Sequence, residues 1–275
     1  MKSLCPFIIA GLLLIPFGVN AGQWVAADKT NCKIWSMASD SGSTVSWSGP
    51  CVDGYASGSG TEIWQQKGKE TGRYEGQMKN GRHNGQGTFI YANGNKYAGD
   101  FVDGQKHGKG TYTFISGNKY VGDFANDRRN GKGTFTFTNG NKYEGAFVND
   151  RRTGKGILTY LNGDKYEGDF VNDKRAGKGT FTFAHGNKYE GDFANDHRTG
   201  KGIFTFTNGS KYTGDFVNGA IQGKGVFTYS NGIKYEGEFA NGKFHGKGTF
   251  TCGNGRQFTG NFEKDNPVGF AIECN

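Results

Sequence analysis

The sequence predicts an all-β protein, an elongated single-layer antiparallel sheet built from consecutive β-hairpins. The first observation is a fixed period of 23 residues, at which one aromatic position recurs without a slip. The residues at this position are Tyr74, Tyr97, Tyr120, Tyr143, Tyr166, Tyr189, Tyr212, Tyr235 and Phe258. A period in the twenties is typical of a repeat array. The second observation is that apolar residues alternate at period two, as in strands, and no stretch has helical spacing.

The repeat unit is clearest in residues 120–142, counted here from Tyr120 as offset 0. Aromatic residues stand at offsets 0, +4, +15 and +17, and glycine stands at +2, +11 and +13. The runs Tyr-x-Gly-x-Phe and Gly-x-Phe-x-Phe predict two short antiparallel strands per unit, each with an aromatic face. The Asn-Gly pair at +19 and +20 predicts the hairpin turn, because both central residues of that turn need positive φ.

Glycine at +2 and +13 is unexpected inside a strand, where it is usually unfavourable. Both offsets fall on the aromatic face, so the missing side chain would let a ring from the neighbouring strand lie across the backbone. Burial of one aromatic ring contributes roughly 1.5–3 kcal/mol, and stacking of units is therefore expected to supply the stability. Nine two-stranded units at about 4.8 Å per strand would form a rod of roughly 90 Å.

The residues at 235–248, Tyr-Glu-Gly-x-Phe-x-Asn-Gly followed by Gly-x-Gly, carry a pattern that resembles the MORN (membrane occupation and recognition nexus) repeat. The resemblance covers residues 74–271. It implies a single-layer sheet of hairpins and a non-catalytic scaffold role, in a family whose members contact membranes, phospholipids or protein partners. Several units depart from the pattern, with Asn-Asp at +6 and +7 followed by two basic residues. We therefore predict nine MORN units with a C-terminal cap over residues 74–275, and we carry no ligand over.

Two segments precede the array. Residues 1–21 have a basic start, an apolar run and small residues at their end, which predict a secretory signal peptide cleaved between Ala21 and Gly22. An uncleaved membrane anchor is the alternative. Residues 22–73 are predicted to be an N-terminal cap, in which residues 47–69 form a divergent tenth unit; coincidence of its glycine offsets is the rival interpretation. A signal peptide implies export to the periplasm, the outer surface or the medium.

Four cysteines remain once Cys5 is removed with the signal peptide, and an even number in an exported chain favours disulfides. Cys32–Cys51 and Cys252–Cys274 are the favoured pairs, because each pair lies at one end of the array. An intervening strand would separate Cys252 and Cys274 by about 9.6 Å between Cα atoms, unless the C-terminus curls back. No metal site is expected, since the cysteines lack Cys-x-x-Cys spacing and the histidines do not cluster with them.

The chain carries 33 Lys and Arg against 25 Asp and Glu. Lysine at offset −1 and acids at +1 and +3 predict a solvated face with cross-strand pairing. Basic residues at +8, +9 and +12 are expected to project from one long edge of the sheet. There each group is either solvated and partly neutralised by Asp at +7, which we favour, or placed to contact anionic lipid headgroups or another polyanion. These candidate residues are Arg128, Arg129, Lys132, Arg151, Arg152, Lys155, Lys174, Arg175, Lys178, His197, Arg198 and Lys201.

These observations predict an exported, non-enzymatic scaffold or binding protein. No Ser-His-Asp or Cys-His arrangement is suggested, and the Gly-x-Gly elements precede strands, unlike phosphate-binding loops. Protein–protein interaction through the aromatic groove or the rod surface is the main hypothesis. Binding of anionic phospholipid or glycolipid headgroups at a membrane surface, through the basic edge, is the alternative. We expect no cofactor, no small-molecule substrate and no nucleic acid, and the exposed ends of the rod leave room for a homodimer.

Overall fold

The computed structural model of the chain describes residues 22–36 and 42–274, and the predicted signal peptide with Ala21 lies outside them. Within these ranges the regular structure consists of β-strands without helices. Twenty strands form one long antiparallel sheet, and four short strands form a second sheet near the N-terminus. The long sheet is open, because no pairing of the described strands joins its first strand to its last. The predicted all-β architecture, with a long antiparallel sheet of consecutive hairpins, is confirmed, and the small sheet is an addition to it.

Strands are numbered in chain order. The small sheet has the strand order β1 (Gln23–Ala26), β2 (Lys33–Ser36), β5 (Tyr55–Ala56) and β4 (Cys51–Val52). The long sheet runs in the order β3 (Ser43–Trp47), β6 (Gly58–Gln66), β7 (Lys69–Lys79), β8 (Arg82–Tyr91), β9 (Lys96–Val102), β10 (Gln105–Thr113), β11 (Lys119–Ala125), β12 (Arg128–Thr136), β13 (Lys142–Val148), β14 (Arg151–Thr159), β15 (Lys165–Val171), β16 (Lys174–Thr182), β17 (Lys188–Ala194), β18 (His197–Thr205), β19 (Lys211–Val217), β20 (Ala220–Thr228), β21 (Lys234–Ala240), β22 (Lys243–Thr251), β23 (Gln257–Glu263) and β24 (Asn266–Val268).

Two kinds of turn alternate along the array. The two-residue hairpin lies at +6 and +7, where Asn126 and Asp127 both have positive φ, 50° and 68°. The connection between units is longer, and there the Gly140 N–H donates to the Phe137 carbonyl at 3.0 Å. The hairpin turn predicted at Asn139-Gly140 is present between the antiparallel strands β12 and β13. The predicted turn type is wrong, because only Gly140 of that pair has positive φ (84°). The Asn-Asp pairs therefore keep the turn that Asn-Gly makes in other units.

Each tyrosine at offset 0 lies against the paired glycines of its own unit. Gly122 and Gly133 face each other in adjacent strands, and a Cβ on Gly133 would stand 2.5 Å from Cζ of Tyr120. Any side chain there would displace the ring. The Tyr120 hydroxyl donates to the Asp123 carbonyl at 3.0 Å, which satisfies the only polar atom of a fully buried side chain. The predicted packing of a ring across bare backbone is confirmed.

The core is one continuous row of aromatic rings on a single face of the long sheet. Tyr143 meets Phe147 of its own unit edge to face at 5.2 Å and Phe170 of the next unit at 5.0 Å. The same contacts recur from unit to unit, and all eight tyrosines at offset 0 have no exposed surface. Each unit is therefore stabilised mainly by its neighbour, as expected of a repeat array.

Hydrogen bonds between units run along both long edges of the sheet. On one edge the Asn118 side chain accepts the N–H of Thr138 at 2.9 Å, and Asn141 likewise accepts that of Leu161 at 3.0 Å. On the opposite edge the Asp150 carboxylate accepts the N–H of Arg129, in the preceding unit, at 3.0 Å. The turns are thus fixed to one another, and their polar groups are largely used inside the array.

Both ends of the array carry a disulfide. Cys32 and Cys51 join the small sheet internally with Cα atoms 5.7 Å apart, and Cys252 and Cys274 are linked at 5.5 Å. Beyond β24 the C-terminal segment turns back across the sheet, so that Phe270 lies over Gly260. This return removes the separation expected for an intervening strand, and both predicted pairings are confirmed.

The first strands of the long sheet follow the offsets of the repeat. Trp47 pairs with Glu62, which stands at offset +15 from it. The Trp47 ring lies against Gly49 and Gly60, and a Cβ on Gly60 would be 2.7 Å from Cζ2 of the indole. The boundaries assigned to the cap (22–73), to its divergent unit (47–69) and to the nine-unit array (74–275) stay predictions.

Candidate binding surface

The two faces of the long sheet carry different offsets. The aromatic face holds offsets 0, +2, +4, +9, +13 and +15, as the opposition of Phe124 and Arg129 in adjacent strands shows. The polar face holds offsets −1, +1, +3, +8, +12 and +14, and on it Lys132 lies opposite Ala146. Because neighbouring side chains of a strand point to opposite faces, the three basic offsets cannot share one surface.

Arginine at +9 belongs to the aromatic face and joins consecutive units. The Arg129 guanidinium lies 5.3 Å from the centroids of Phe135 and Phe147. Its Nε donates to the Asp150 carboxylate at 3.0 Å, and a terminal nitrogen donates to the Asp150 carbonyl at 2.8 Å. The same arrangement recurs in Arg152–Asp173 and Arg175–Asp196. Arg198 keeps only the carbonyl contact, at 2.6 Å to Gly219.

Lysine at +12 lies in mid-strand on the polar face, and it forms an ion pair where the next unit has Asp at +3. The Nζ–Oδ1 distances are 2.8 Å for Lys155–Asp169 and 2.6 Å for Lys178–Asp192. Lys201 pairs with Asp215 in the same way, and its hydrogen bond lowers the pKa of that carboxyl group. These lysines are solvent-exposed but carry a carboxylate partner.

Of the three basic offsets, only +8 places its side chains in solvent beside the hairpin tips. Arg128, Arg151, Lys174 and His197 are exposed, and they form no ion pair with any residue that the structure describes. The expectation that offsets +8, +9 and +12 project from one long edge is therefore wrong. Alternation sends +9 to the aromatic face, and the strand carries +12 away from the tip toward the middle of the sheet.

The polar face carries three open grooves along the array. The first, of about 1140 Å³, crosses units 74–143, the second, of about 850 Å³, crosses units 189–258, and a third, of about 960 Å³, lies between them across units 143–189. Side chains at +1, +12 and +14 line all three grooves, together with the backbone of the glycine pairs. The main chain of the glycine pairs therefore forms part of the floor of these grooves.

The first and second grooves both border lysines that form no ion pair among the described residues; beside the second groove these are Lys211, Lys224 and Lys247. In the middle of the array Lys142 pairs with Glu144 at 3.0 Å and Lys165 pairs with Glu167 at 3.0 Å. Around the first groove several acids are replaced by small or aliphatic residues, and three exposed lysines there have ammonium groups that form no ion pair with any described residue. We call this set the lysine patch: Lys96 beside Ala98, Lys119 beside Val121, and Lys132 opposite Ala146.

A buried carboxylate lies where the cap meets the first units. Glu62 is 1% exposed; its Oε2 is 2.5 Å from Nε2 of His83, and Trp64 donates to its Oε1. A cavity of about 710 Å³ opens beside this cluster. Since both carboxylate oxygens already have partners, the cluster holds β6 against β8. Its signal in the sequence is Glu62 at +15, an offset that is aromatic in most units.

Two further observations concern the described residues alone. Among them, no group of three or more His, Cys, Asp or Glu is placed to hold a metal ion. None of their segments forms a helix with the length and apolarity needed to cross a membrane.

The model of the MORN repeat family matches eight consecutive segments of the chain. The matched residues are 74–96, 97–119, 120–142, 143–165, 166–188, 189–211, 212–234 and 235–255. They make up about two thirds of the chain. The resemblance derived from the 23-residue period is thereby confirmed, and the unit starting at Phe258 lies beyond the matched residues. A search of curated proteins found no match.

Several solved structures resemble the chain weakly. The TCP10 domain of Danio rerio CPAP, in complex with a peptide of STIL, is 9% identical, with a TM-score of 0.43, and the match covers 78% of this chain and 97% of that one. The TCP domain of Drosophila melanogaster SAS-4, in complex with a proline-rich motif of Ana2, is 14% identical, with a TM-score of 0.33, and the match covers 65% and 85%. TM-scores this low establish neither a shared fold nor a shared function.

Proposed function

Because the chain belongs to the MORN repeat family, with matches over residues 74–255, we propose that it is a non-enzymatic scaffold that binds a protein partner along its polar face. A MORN array is consistent with a repeat-based binding scaffold, since stacked units present one extended surface. The proposal rests on the different environments of the two faces of the sheet. The aromatic face is used inside the array, whereas the polar face is exposed and grooved.

The aromatic face leaves little surface for a partner. The rings at offsets 0 and +4 are buried by their neighbours, and the arginines at +9 cover the adjoining rings while their own polar atoms are engaged. On the polar face, by contrast, main chain, threonine hydroxyl groups and lysine side chains border open grooves. Such a groove accepts an extended polypeptide segment.

Photo-crosslinking in extracts of the source cells tests this proposal. A benzophenone-bearing amino acid is placed at Thr111 or Thr134, which line the first groove, and in a control at Arg151, which is exposed beside a hairpin tip. The expected result is one protein adduct that forms from the groove positions and not from Arg151. Equal adducts from all three positions, or none from the groove, would overturn the proposal.

We also propose that the chain is exported. The two disulfides are consistent with an oxidising compartment, and residues 1–21 have the composition of a signal peptide. Fractionation of source cells, followed by N-terminal sequencing, provides the test. A mature chain beginning at Gly22 with both disulfides formed is expected, while a full-length reduced chain in the cytosol would contradict export.

Binding of anionic phospholipid or glycolipid headgroups is the second candidate function, and the row at +8 favours it. Arg128, Arg151 and Lys174 occupy the same offset of consecutive units and are exposed, so their charges could act together on an anionic surface. Flotation with phosphatidylserine vesicles should then be lost in Arg128→Glu/Arg151→Glu/Lys174→Glu and retained in Lys132→Glu. Absence of flotation at low salt for the unaltered protein would eliminate this candidate.

A further inference from the structure

We propose that the lysine patch binds an extended protein segment that carries a carboxylate at every third residue. The inference rests on the proposed function and specifies the partner of the first groove. Its chemistry follows from three features of the polar face: a local excess of positive charge, an uncharged floor, and the spacing of the repeat.

The charge excess extends over three consecutive units at the first groove; elsewhere in the array the same balance occurs in the single unit starting at Tyr212, with Asp215 as its one acid. Across offsets −1, +1, +3 and +12, the units starting at Tyr97, Tyr120 and Tyr143 each hold two lysines and one acid. The next two units, starting at Tyr166 and Tyr189, hold two lysines and two acids each. The first groove therefore borders three lysines in excess of carboxylates, which favours an acidic ligand.

The floor between the lysines is free of charge. Offsets +1 and +14 of successive strands pair into one central row across the sheet, and five neighbours in this row are uncharged: Thr88, Ala98, Thr111, Val121 and Thr134. Glu75 precedes them and Glu144 follows them in the same row. At about 4.8 Å per strand, the uncharged row spans roughly 19 Å. The two glutamates would repel a longer acidic segment.

Lysines flank this floor on both sides. Lys96 and Lys119 stand two residues along the strand from the central row at offset −1. Lys132 stands two residues from the row on the other side, at +12, as does Lys109, whose ammonium group pairs with Asp123. Two strand residues span about 6.6 Å, which long lysine side chains reach easily. A segment lying on the row would thus meet ammonium groups on its left and on its right.

The spacing of the units selects the conformation of that segment. Equivalent lysines, such as Lys96 and Lys119, are one unit apart, which is about 9.6 Å for two strands. A polyproline II segment advances about 9.3 Å in three residues and returns a side chain to the same side at every third position. The backbone N–H and C=O groups of these strands are already paired within the sheet, so a ligand on this face meets side chains. A conformation that needs no pairing with a strand, such as polyproline II, fits this face best.

Fluorescence anisotropy with three labelled nine-residue peptides tests the proposal on the intact protein. The probes are three Glu-Pro-Pro repeats, three Gln-Pro-Pro repeats, and a peptide with the same composition as the first but with adjacent glutamates. We expect the Glu-Pro-Pro peptide to bind about tenfold more tightly than either of the other two. Equal binding of the two glutamate peptides, or equal competition by a heparin oligosaccharide, would show a general polyanion site and overturn the proposal.

Matched variants locate the site. Val121→Glu places an acid at +1 beside Lys119 within the patch, and Thr213→Glu places an acid at the same offset beside Lys211 outside it. The first should weaken binding of the Glu-Pro-Pro peptide about tenfold and the second should leave it unchanged; equal effects would contradict the assignment. If groove crosslinks to a protein persist while the peptide fails to bind, the partner chemistry is wrong and the proposed function stands.

Discussion

The two faces of the long sheet are built by the same 23-residue unit, yet they differ in how strictly each unit repeats. On the aromatic face all eight tyrosines at offset 0 are fully buried, and each hydroxyl described here bonds to main chain, as in Tyr143 to the Ala146 carbonyl at 3.1 Å. On the polar face acids give way to Ala98, Val121 and Ala146 in three consecutive units. The fold is therefore specified on one face, and the other is free to diverge.

The difference has an energetic cause. Removal of a buried ring costs several kcal/mol, because its neighbours cannot collapse into the space. An exposed Lys–Asp pair contributes about 0–1 kcal/mol, so its loss hardly affects the array. Substitutions that create a binding surface are thus tolerated on the polar face.

Alkaline pH should affect the aromatic face most strongly. Burial raises the pKa of Tyr120, Tyr143, Tyr189, Tyr212 and Tyr235 to about 12, whereas an unfolded tyrosine titrates near 10. The folded state holds these protons longer, so stability is complete below pH 10 and falls as the pH rises toward 12. Each such tyrosine contributes a loss of up to about 2–3 kcal/mol.

Phenolate absorbance and circular dichroism, followed together against pH, provide the measurement. We expect the tyrosines to ionise cooperatively, between pH 10 and 12, as the β-sheet signal disappears. Gradual ionisation near pH 10 with the sheet intact would mean that the rings are not buried as described.

Truncation of a single ring should produce the next largest effect. Tyr143→Ala removes a fully buried side chain that contacts two phenylalanines, and a loss of about 3–5 kcal/mol in the free energy of unfolding is expected. Tyr229→Ala is the matched control, because that ring is 37% exposed. Urea denaturation should separate the two variants by at least about 2 kcal/mol, and similar losses would contradict the assignment of the core to offset 0.

Adjacent arginines on opposite faces give a sharper comparison. Arg152→Met removes the hydrogen bonds of Arg152 to the Asp173 carboxylate (3.2 Å) and carbonyl (2.6 Å), and a loss of about 1–3 kcal/mol is expected. Arg151→Met changes an exposed side chain without an ion pair in the described chain, and its effect should stay within about 0.5 kcal/mol. Equal effects in urea denaturation would show that the two faces are not distinguished at this edge.

The same contrast shows which features were accessible from the sequence. The period and its glycines predict the sheet, the ring packing and the disulfide pairs, because each depends on local alternation and order along the chain. The position of the tight two-residue turn is not readable from the sequence, since Asn, Asp and Gly all accept positive φ and both Asn139-Gly140 and Asn126-Asp127 fit it. The face of Arg129 was readable from its even spacing to Gly133, but its partner Asp150 belongs to the next unit, and only the stacking of units reveals that contact.

The features related to function were less predictable, because they also depend on contacts between neighbouring units. Lys132 is one of several lysines at +12 in the sequence, and nothing in its own unit sets it apart. Its lack of a partner depends on Ala146, 14 residues later, through the register between β12 and β13. The buried Glu62 also required the register, because its partner His83 lies 21 residues away.

Restoring the missing acid should have the smallest effect on stability and the most selective effect on the polar face. In other units Asp at +3 accepts the N–H of the lysine at +12, as Asp169 accepts that of Lys178 at 3.2 Å. Ala146→Asp would give Lys155 this acceptor and Lys132 an ion-pair partner, and a gain of about 0.5–1 kcal/mol is expected. The gain should shrink in high salt, because the pair is exposed. Urea denaturation at two salt concentrations measures this gain. A loss of stability at low salt would instead show that packing of the array requires the small side chain of Ala146.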